Sequence, residues 1–382
     1  MNIHRKIGRI GMDVDPAGAN EIYLEDAVAE RIREPGLSGI LSAIYEANNQ
    51  PHLPLNLFLE LTSHCNFNCP FCYVNEPGCQ KASMPRFEEL KKTLDLFIKK
   101  GLVHCTLSGG ECLLHPDFSD IYTYLKLHGV LVTVFTNGYL LEEKHFRMLS
   151  GFKPFKLEIS LYGHDDESYQ ATTATPKVKA ERVFANVLRL KEDGVNVICK
   201  TPLTSLTEEE SYPRIRQWCQ AHDIPFYTGT ELVFGYSGES RDGYLASQEL
   251  RDRLKQEMDE AFFSDPERMA LAVSEKAHQK KAFDCSGGRH DLFISSEFNL
   301  MPCMQAQWAG DDWKFNIKKM GVEAAYNSME SRIIGEKNKP IQGCYGCKYT
   351  RICQHCYFTQ GQFNRTYCED LKKYMRGGCN HG

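Results

Sequence analysis

The chain has 382 residues, 42% of them hydrophobic, enough for one barrel-sized domain with a smaller companion and too many for a peptide scaffold. Lys and Arg number 45 against 50 Asp and Glu, a net charge of -5 without a basic stripe, which argues against nucleic acid as a partner. No apolar run reaches the roughly 18 residues of a membrane span, and the first residues lack the apolar core of a signal peptide, so a soluble, cytoplasmic protein is expected.

In chain order, the first elements are sparse. Residues 1–54 read as an extension with one helix, roughly Leu24–Arg33, too short for a typical independent domain. From residue 55 to 280, short runs of branched and aromatic residues alternate with helical patterns, the mark of β-α units around a parallel sheet. Six strands are expected: Leu57–Thr62, Val103–Leu107, Val130–Phe135, Lys156–Leu161, Val195–Cys199 and Ile224–Val233. Phe87, Leu90, Leu94, Phe97 and Ile98 recur at helical spacing before Gly101, which reads as a stop. Further helices are expected over Asp117–His128, Lys177–Asp193, Glu208–His222, the last interrupted near Pro213, and Ser247–Phe262. The fold class is therefore α/β, an incomplete (β/α)6 barrel, whose chemistry should lie just after the strands. The polar stretch Ser264–Lys281 reads as a linker to residues 281–382.

Sixteen cysteines without an export signal point to metal ligation rather than disulfides. Eight fall in the last quarter, where hydrophobic periodicity reads as weak, so metal is expected to supply much of that unit's folding energy. Three others, Cys65, Cys69 and Cys72, follow the first strand with three and then two residues between them. Three thiolates on a four-iron cube leave one iron without a protein ligand, as a catalytic zinc keeps one position for substrate.

Cys-x3-Cys-x2-Cys after the first barrel strand, with the aromatic Phe71 before the last cysteine, resembles the signature of the radical S-adenosylmethionine (radical SAM) superfamily. The resemblance implies a [4Fe–4S] cluster on these cysteines and S-adenosylmethionine chelated at the open iron. Reductive cleavage then releases a 5′-deoxyadenosyl radical that abstracts a substrate hydrogen. Ser108-Gly109-Gly110-Glu111, after the second strand, resembles the family's GGE motif, so Gly109, Gly110 and Glu111 are expected to meet the methionine amino group. Thr136 and Asn137, after the third strand, and Ser160, in the fourth, stand where relatives place polar contacts to the cofactor. A turn at Asn137-Gly138 and a satisfied core hydroxyl at Ser160 are the plainer alternatives. Lys200, ending the fifth strand, could meet the methionine carboxylate or simply face solvent.

The run from Cys344 to Cys356 holds two Cys-x2-Cys pairs, which alone would read as a zinc knuckle. With Cys285 and Cys303 before it and Cys368 after, it resembles the SPASM domain, which carries two auxiliary [4Fe–4S] clusters. That pattern implies Cys344, Cys347, Cys353 and Cys368 on an outer cluster, and Cys285, Cys303 and Cys356 on an inner one that lacks an assigned fourth ligand. Two departures stand out: Phe298 replaces a usual glycine, and two residues rather than three separate Cys353 from Cys356. Cys379 could cap the inner cluster, replace Cys368, or be a free thiol. Cys79, Cys105, Cys112, Cys199 and Cys219 match no motif and read as incidental or buried thiols.

These resemblances imply an enzyme that modifies a ribosomally made precursor peptide, forming a cross-link or another C–H functionalisation. Its partners would be the peptide, an electron donor such as flavodoxin or ferredoxin, and, given the short N-terminal segment, a separate leader-peptide recognition protein. No catalytic acid or base can be chosen from the residues. A small-molecule substrate in cofactor or tetrapyrrole synthesis is the alternative within the same chemistry, and a non-catalytic zinc scaffold the alternative outside it.

Overall fold

In a computed structural model, the described residues are 2–17, 22–24, 26–29, 37–49, 52–74, 85–229, 232, 235, 238–263, 281–341 and 356–358. The chain opens with three short strands, β1 (Ile3–Ile7), β2 (Ile10–Val14) and β3 (Ile22–Leu24), paired antiparallel in that order. Gly8, at φ 59, starts the two-residue turn between β1 and β2 and lets it close against Asn48. Helices Asp26–Ala29 and Leu37–Asn48 follow. The helix expected over Leu24–Arg33 is thus a strand end and a single helical turn within the described residues. The two hairpin strands, IHRKI and IGMDV, carry charged and glycine residues between their apolar ones and lack the branched and aromatic runs of the barrel strands.

Six parallel strands then build the main sheet: β4 (Asn56–Glu60), β5 (His104–Ser108), β6 (Leu131–Thr136), β7 (Lys156–Ser160), β8 (Val197–Pro202) and β9 (Phe226–Gly229). They match the six expected strands with ends shifted by a few residues. Side chains alternate across the sheet. Leu57, Leu59, Cys105, Leu107, Val132, Val134, Leu157 and Ile159 are buried in one core with Leu90, Leu94 and Phe97 of helix Phe87–Lys100 and Val183, Val187 and Leu190 of helix Ala180–Glu192.

The opposite face carries Phe58, Glu60, His104, Phe135, Glu158, Ser160 and Lys200, and it is concave. Phe58 on β4 meets Phe135 on β6 at 5.7 Å, edge to face, across the intervening β5. Lys200 on β8 sits over the Phe135 ring at 3.4 Å, across β7. Contacts between strands two apart require the sheet to curl, so this polar face lines the lumen of a partial barrel.

Helices Glu143–Gly151 and Asp166–Thr173, not expected from the sequence any more than Leu37–Asn48 or Val322–Glu336, complete the outer layer. The interruption expected near Pro213 does not occur. The helix starts at Ser211, so Pro213 falls in its first turn, where no intrahelical partner for its nitrogen is needed.

The sheet also continues beyond residue 280. β10 (Asp291–Ile294) pairs parallel with β4, and β11 (Asn299–Met301) and β12 (Phe315–Asn316) extend it antiparallel. Leu292, Phe293, Ile294, Leu300, Tyr326 and Ile333 belong to the same core as the barrel strands. Weak hydrophobic patterning therefore does not hold for residues 281–341. In the β10–β11 turn Phe298 is buried at φ 66, a conformation bulky residues seldom adopt. The linker 264–280, Cys79, and the cysteines 344, 347, 353, 368 and 379 lie outside the described residues.

The N-terminal unit closes the lower end of the barrel. Ile7, Ile10, Met12, Val14, Leu41 and Ile44 form a second core with Leu53, Leu55, Val103 and Leu131, which lie at the entries of the strands. Arg5 is buried there and donates to Ile98 O at 3.3 Å and Gly129 O at 3.1 Å, carbonyls at the C-terminal ends of two barrel helices. Burial pushes its pKa down to about 10, which leaves it charged.

Candidate active site

The segment 61–73 leaves the C-terminal end of β4 as a loop. Thr62 Oγ1 accepts from His64 N–H at 2.9 Å, Cys72 N–H donates to Cys69 O at 3.2 Å, and Asn68 N–H is held by Thr173 O and Thr175 Oγ1, both at 3.0 Å. Cys65, Cys69 and Cys72 share this loop, and burial first, then the neighbouring Cys72 and Cys65, pushes the Cys69 thiol well up. Three thiols held close, one of them buried, destabilise one another's thiolates, a conflict that a cationic cluster would relieve. Among the described residues no three His, Cys, Asp or Glu converge on a single-ion site. Thiolates on separate corners of an iron–sulfur cube need no common centre.

Aromatic rings enclose the loop. Phe67 contacts Tyr139, Tyr162 and Tyr169, and Phe71 lies 6.4 Å from Tyr162. Burial, then Cys69, Cys65 and Cys72, push the Tyr162 phenol well up, which places it within electrostatic reach of all three thiols. Ser160 is its hydrogen-bond partner. Tyr73, next to Cys72, donates to Glu60 Oε1 at 3.1 Å. Tyr162, Tyr73 and Glu60 escaped the sequence reading. The position of Tyr162, two residues beyond Ser160 after the fourth strand, is the signal that could have found it.

The two glycines of Gly109-Gly110-Glu111 fit against this loop. A Cβ on Gly109, which has φ 132, would stand 2.3 Å from Thr62 O, and one on Gly110 2.3 Å from His64 O. Gly110 and Glu111 N–H groups donate to the same two carbonyls, Thr62 O and His64 O, at 2.7 and 2.8 Å. Such close backbone approach is what glycine permits.

Glu111 is 1% exposed. Its carboxylate accepts from Thr136 Oγ1 at 2.7 Å, Asn137 N–H at 2.7 Å and Leu113 N–H at 3.1 Å. Burial raises its pKa against the pull of these donors. Thr136 and Asn137 are therefore joined to Glu111 at the end of β6. Asn137 also reaches back to Asn66 and Cys65. Lys200 Nζ donates to Glu158 at 2.7 Å, and burial lowers its pKa.

A second set of thiols assembles beside β10 and β11. Burial first, then Cys356 and Cys285, push the Cys303 thiol up. Gly287 packs between them, its missing Cβ 3.6 Å from the sulfurs of both Cys285 and Cys303. Phe283, Trp313, Tyr357 and Phe358 pack ring against ring nearby.

The radical SAM superfamily model matches residues 59–214, from β4 into helix Ser211–Ala221. The Bacillus subtilis antilisterial bacteriocin subtilosin biosynthesis protein AlbA is 32% identical over 347 residues, covering 86% of this chain and 73% of that protein. The chain belongs to the radical SAM superfamily. The AdoMet-dependent heme synthase of Methanosarcina barkeri is 23% identical, over 78% of this chain and 89% of its own length. Streptococcus suis SuiB, solved with its precursor peptide SuiA, shares the fold with a TM-score of 0.62 at 14% identity, over 84% of this chain and 77% of that one.

As a radical SAM enzyme, this protein works with S-adenosylmethionine and a [4Fe–4S] cluster. The residues present fit both, by the three thiols of one loop and by the two glycines whose bare Cα atoms leave that loop its path. Among the described residues no helix is long and apolar enough to cross a membrane.

Proposed function

We propose that the enzyme modifies a ribosomally made precursor peptide, with Cys65, Cys69 and Cys72 holding the radical SAM cluster and residues 281–382 holding auxiliary clusters. The observation that carries this reading is the second thiol set, Cys285, Cys303 and Cys356, drawn together beside the barrel sheet. S-adenosylmethionine, when bound at an open iron and given one electron, supplies a 5′-deoxyadenosyl radical that takes a hydrogen atom from carbon. Gly109 and Gly110 let the cysteine loop pass against the end of β5, beside the place expected for the methionine end. Ser160 and Tyr162 line the lumen above Glu158 and Lys200, and the aromatic ring set packs around the cysteine loop.

Oxidation of a peptide C–H bond leaves an electron to remove, a task suited to auxiliary clusters on Cys285, Cys303 and Cys356, and on Cys344, Cys347, Cys353 and Cys368 or Cys379. Flavodoxin or ferredoxin would supply the first electron, and a separate protein would present the leader. In this division residues 1–54 are a structural extension, 55–280 the radical barrel and 281–382 the auxiliary unit. The likeness to AlbA supports a peptide substrate, and that to the heme synthase supports a small molecule as the second reading.

The test is anaerobic incubation of the reconstituted enzyme with S-adenosylmethionine, a reductant and any short peptide found encoded beside its gene. A peptide lighter by two hydrogens, formed together with 5′-deoxyadenosine and absent with Cys65→Ala, is the expected result. Turnover of a tetrapyrrole, with the peptide untouched, would replace this reading by the second.

A further inference from the structure

We propose that Asn137 is a positioning residue for the metal site, its side-chain amide donating to the Cys65 sulfur and making the cluster easier to reduce. The inference rests on the reading that Cys65, Cys69 and Cys72 hold that cluster. The amide nitrogen has two hydrogens. It lies 2.8 Å from Asn66 Oδ1 and 3.9 Å from Cys65 Sγ, while the amide oxygen accepts from Tyr139 N–H at 3.0 Å. Turning the amide over would set two oxygens against each other at Asn66 and leave the Tyr139 N–H without its acceptor. The network therefore fixes the N–H toward the sulfur.

Asn137 is 5% exposed, and its own main chain is anchored by Glu111 Oε2 at 2.7 Å. Glu111 takes Thr136 through its other oxygen, so the buried carboxylate braces the end of β6 and, through Asn137, the cysteine loop. Phe67 N–H gives the same sulfur a second donor at 3.4 Å. Donors aimed at a cluster sulfur stabilise the more negative, reduced state and so raise the reduction potential.

Asn137→Asp keeps the shape and the acceptor for Tyr139 but replaces the donor with an oxygen, and Asn137→Ala removes it without adding charge. Anaerobically reconstituted holoenzyme would be poised with dithionite and its S-adenosylmethionine-sensitive reduced signal measured by electron paramagnetic resonance. In both variants the reduced-to-oxidised ratio at fixed potential should fall about tenfold, about 59 mV for one electron, at wild-type iron content. Should they lose iron, Asn66→Ala, which removes the oxygen that aims the amide, should shift the ratio the same way by less. An unchanged or increased ratio at full iron content overturns the inference and leaves the cluster assignment standing. A wild-type protein with no S-adenosylmethionine-sensitive signal overturns the cluster assignment itself.

Discussion

Gly110 has no room for a side chain beside the cysteine loop, because what one would strike is backbone: His64 O at 2.3 Å and His64 C at 2.6 Å. Backbone cannot rotate away as a side chain can, so Gly110→Ala should displace Cys65 and its loop, at a cost of about 1–3 kcal/mol. Iron per chain and S-adenosylmethionine affinity, measured on the reconstituted protein, should both fall, the affinity by about tenfold or more.

His104 shows a different kind of constraint. Asn56 donates to Asp291, so its oxygen faces His104 Nδ1 at 2.7 Å and makes that nitrogen the donor, while Nε2 takes the Thr133 hydroxyl at 2.8 Å. Burial holds its pKa down to about 3 against an ordinary 6.5. Between those values the unfolded chain binds a proton that the native protein refuses, so stability falls as pH drops through that window, by up to about 1.4 kcal/mol per unit. Comparing denaturant midpoints at pH 7 and pH 5 should show this slope in the wild type and a flatter one in His104→Leu.

Among the elements, the N-terminal hairpin has a role that its length conceals. It covers Leu53, Leu55, Val103 and Leu131, and its Arg5 satisfies carbonyls at the ends of two helices that belong to the barrel. Arg5→Met should therefore cost about 3 kcal/mol, through two lost charge-assisted hydrogen bonds, and lower the melting temperature while the metal sites keep their iron. The β10–β11 hairpin is the reverse case, an element whose strain is tolerated because of what it packs. Phe298 holds a left-handed backbone, which costs about 1–3 kcal/mol, yet its ring is buried in the main core. Burial of a ring of that size is worth a comparable amount, which offsets the backbone strain.

At the scale of the whole molecule, the barrel and the segment after it are one sheet, so metal loss and unfolding should separate. Cys303→Ala should remove about four irons from a total of about twelve, as read by iron and sulfide analysis, while circular dichroism of the parallel sheet stays as in the wild type. An iron total near four with one or two zincs would instead mark the terminal unit as a zinc domain. Much of this architecture is legible in the sequence, because short runs of branched and aromatic residues between helical repeats encode parallel β-α units and because three cysteines at short spacing must share a loop. The glycines beside that loop are legible for the same local reason. What lies beyond the reach of sequence alone is set by contacts between distant segments. β10 joins β4 across more than two hundred residues of chain, Lys200 pairs with Glu158, and Cys285 and Cys303 come together at Gly287. Spacing along the chain dictates what neighbours must do, whereas the curl of the sheet decides which distant side chains share a low-dielectric interior and must pair there.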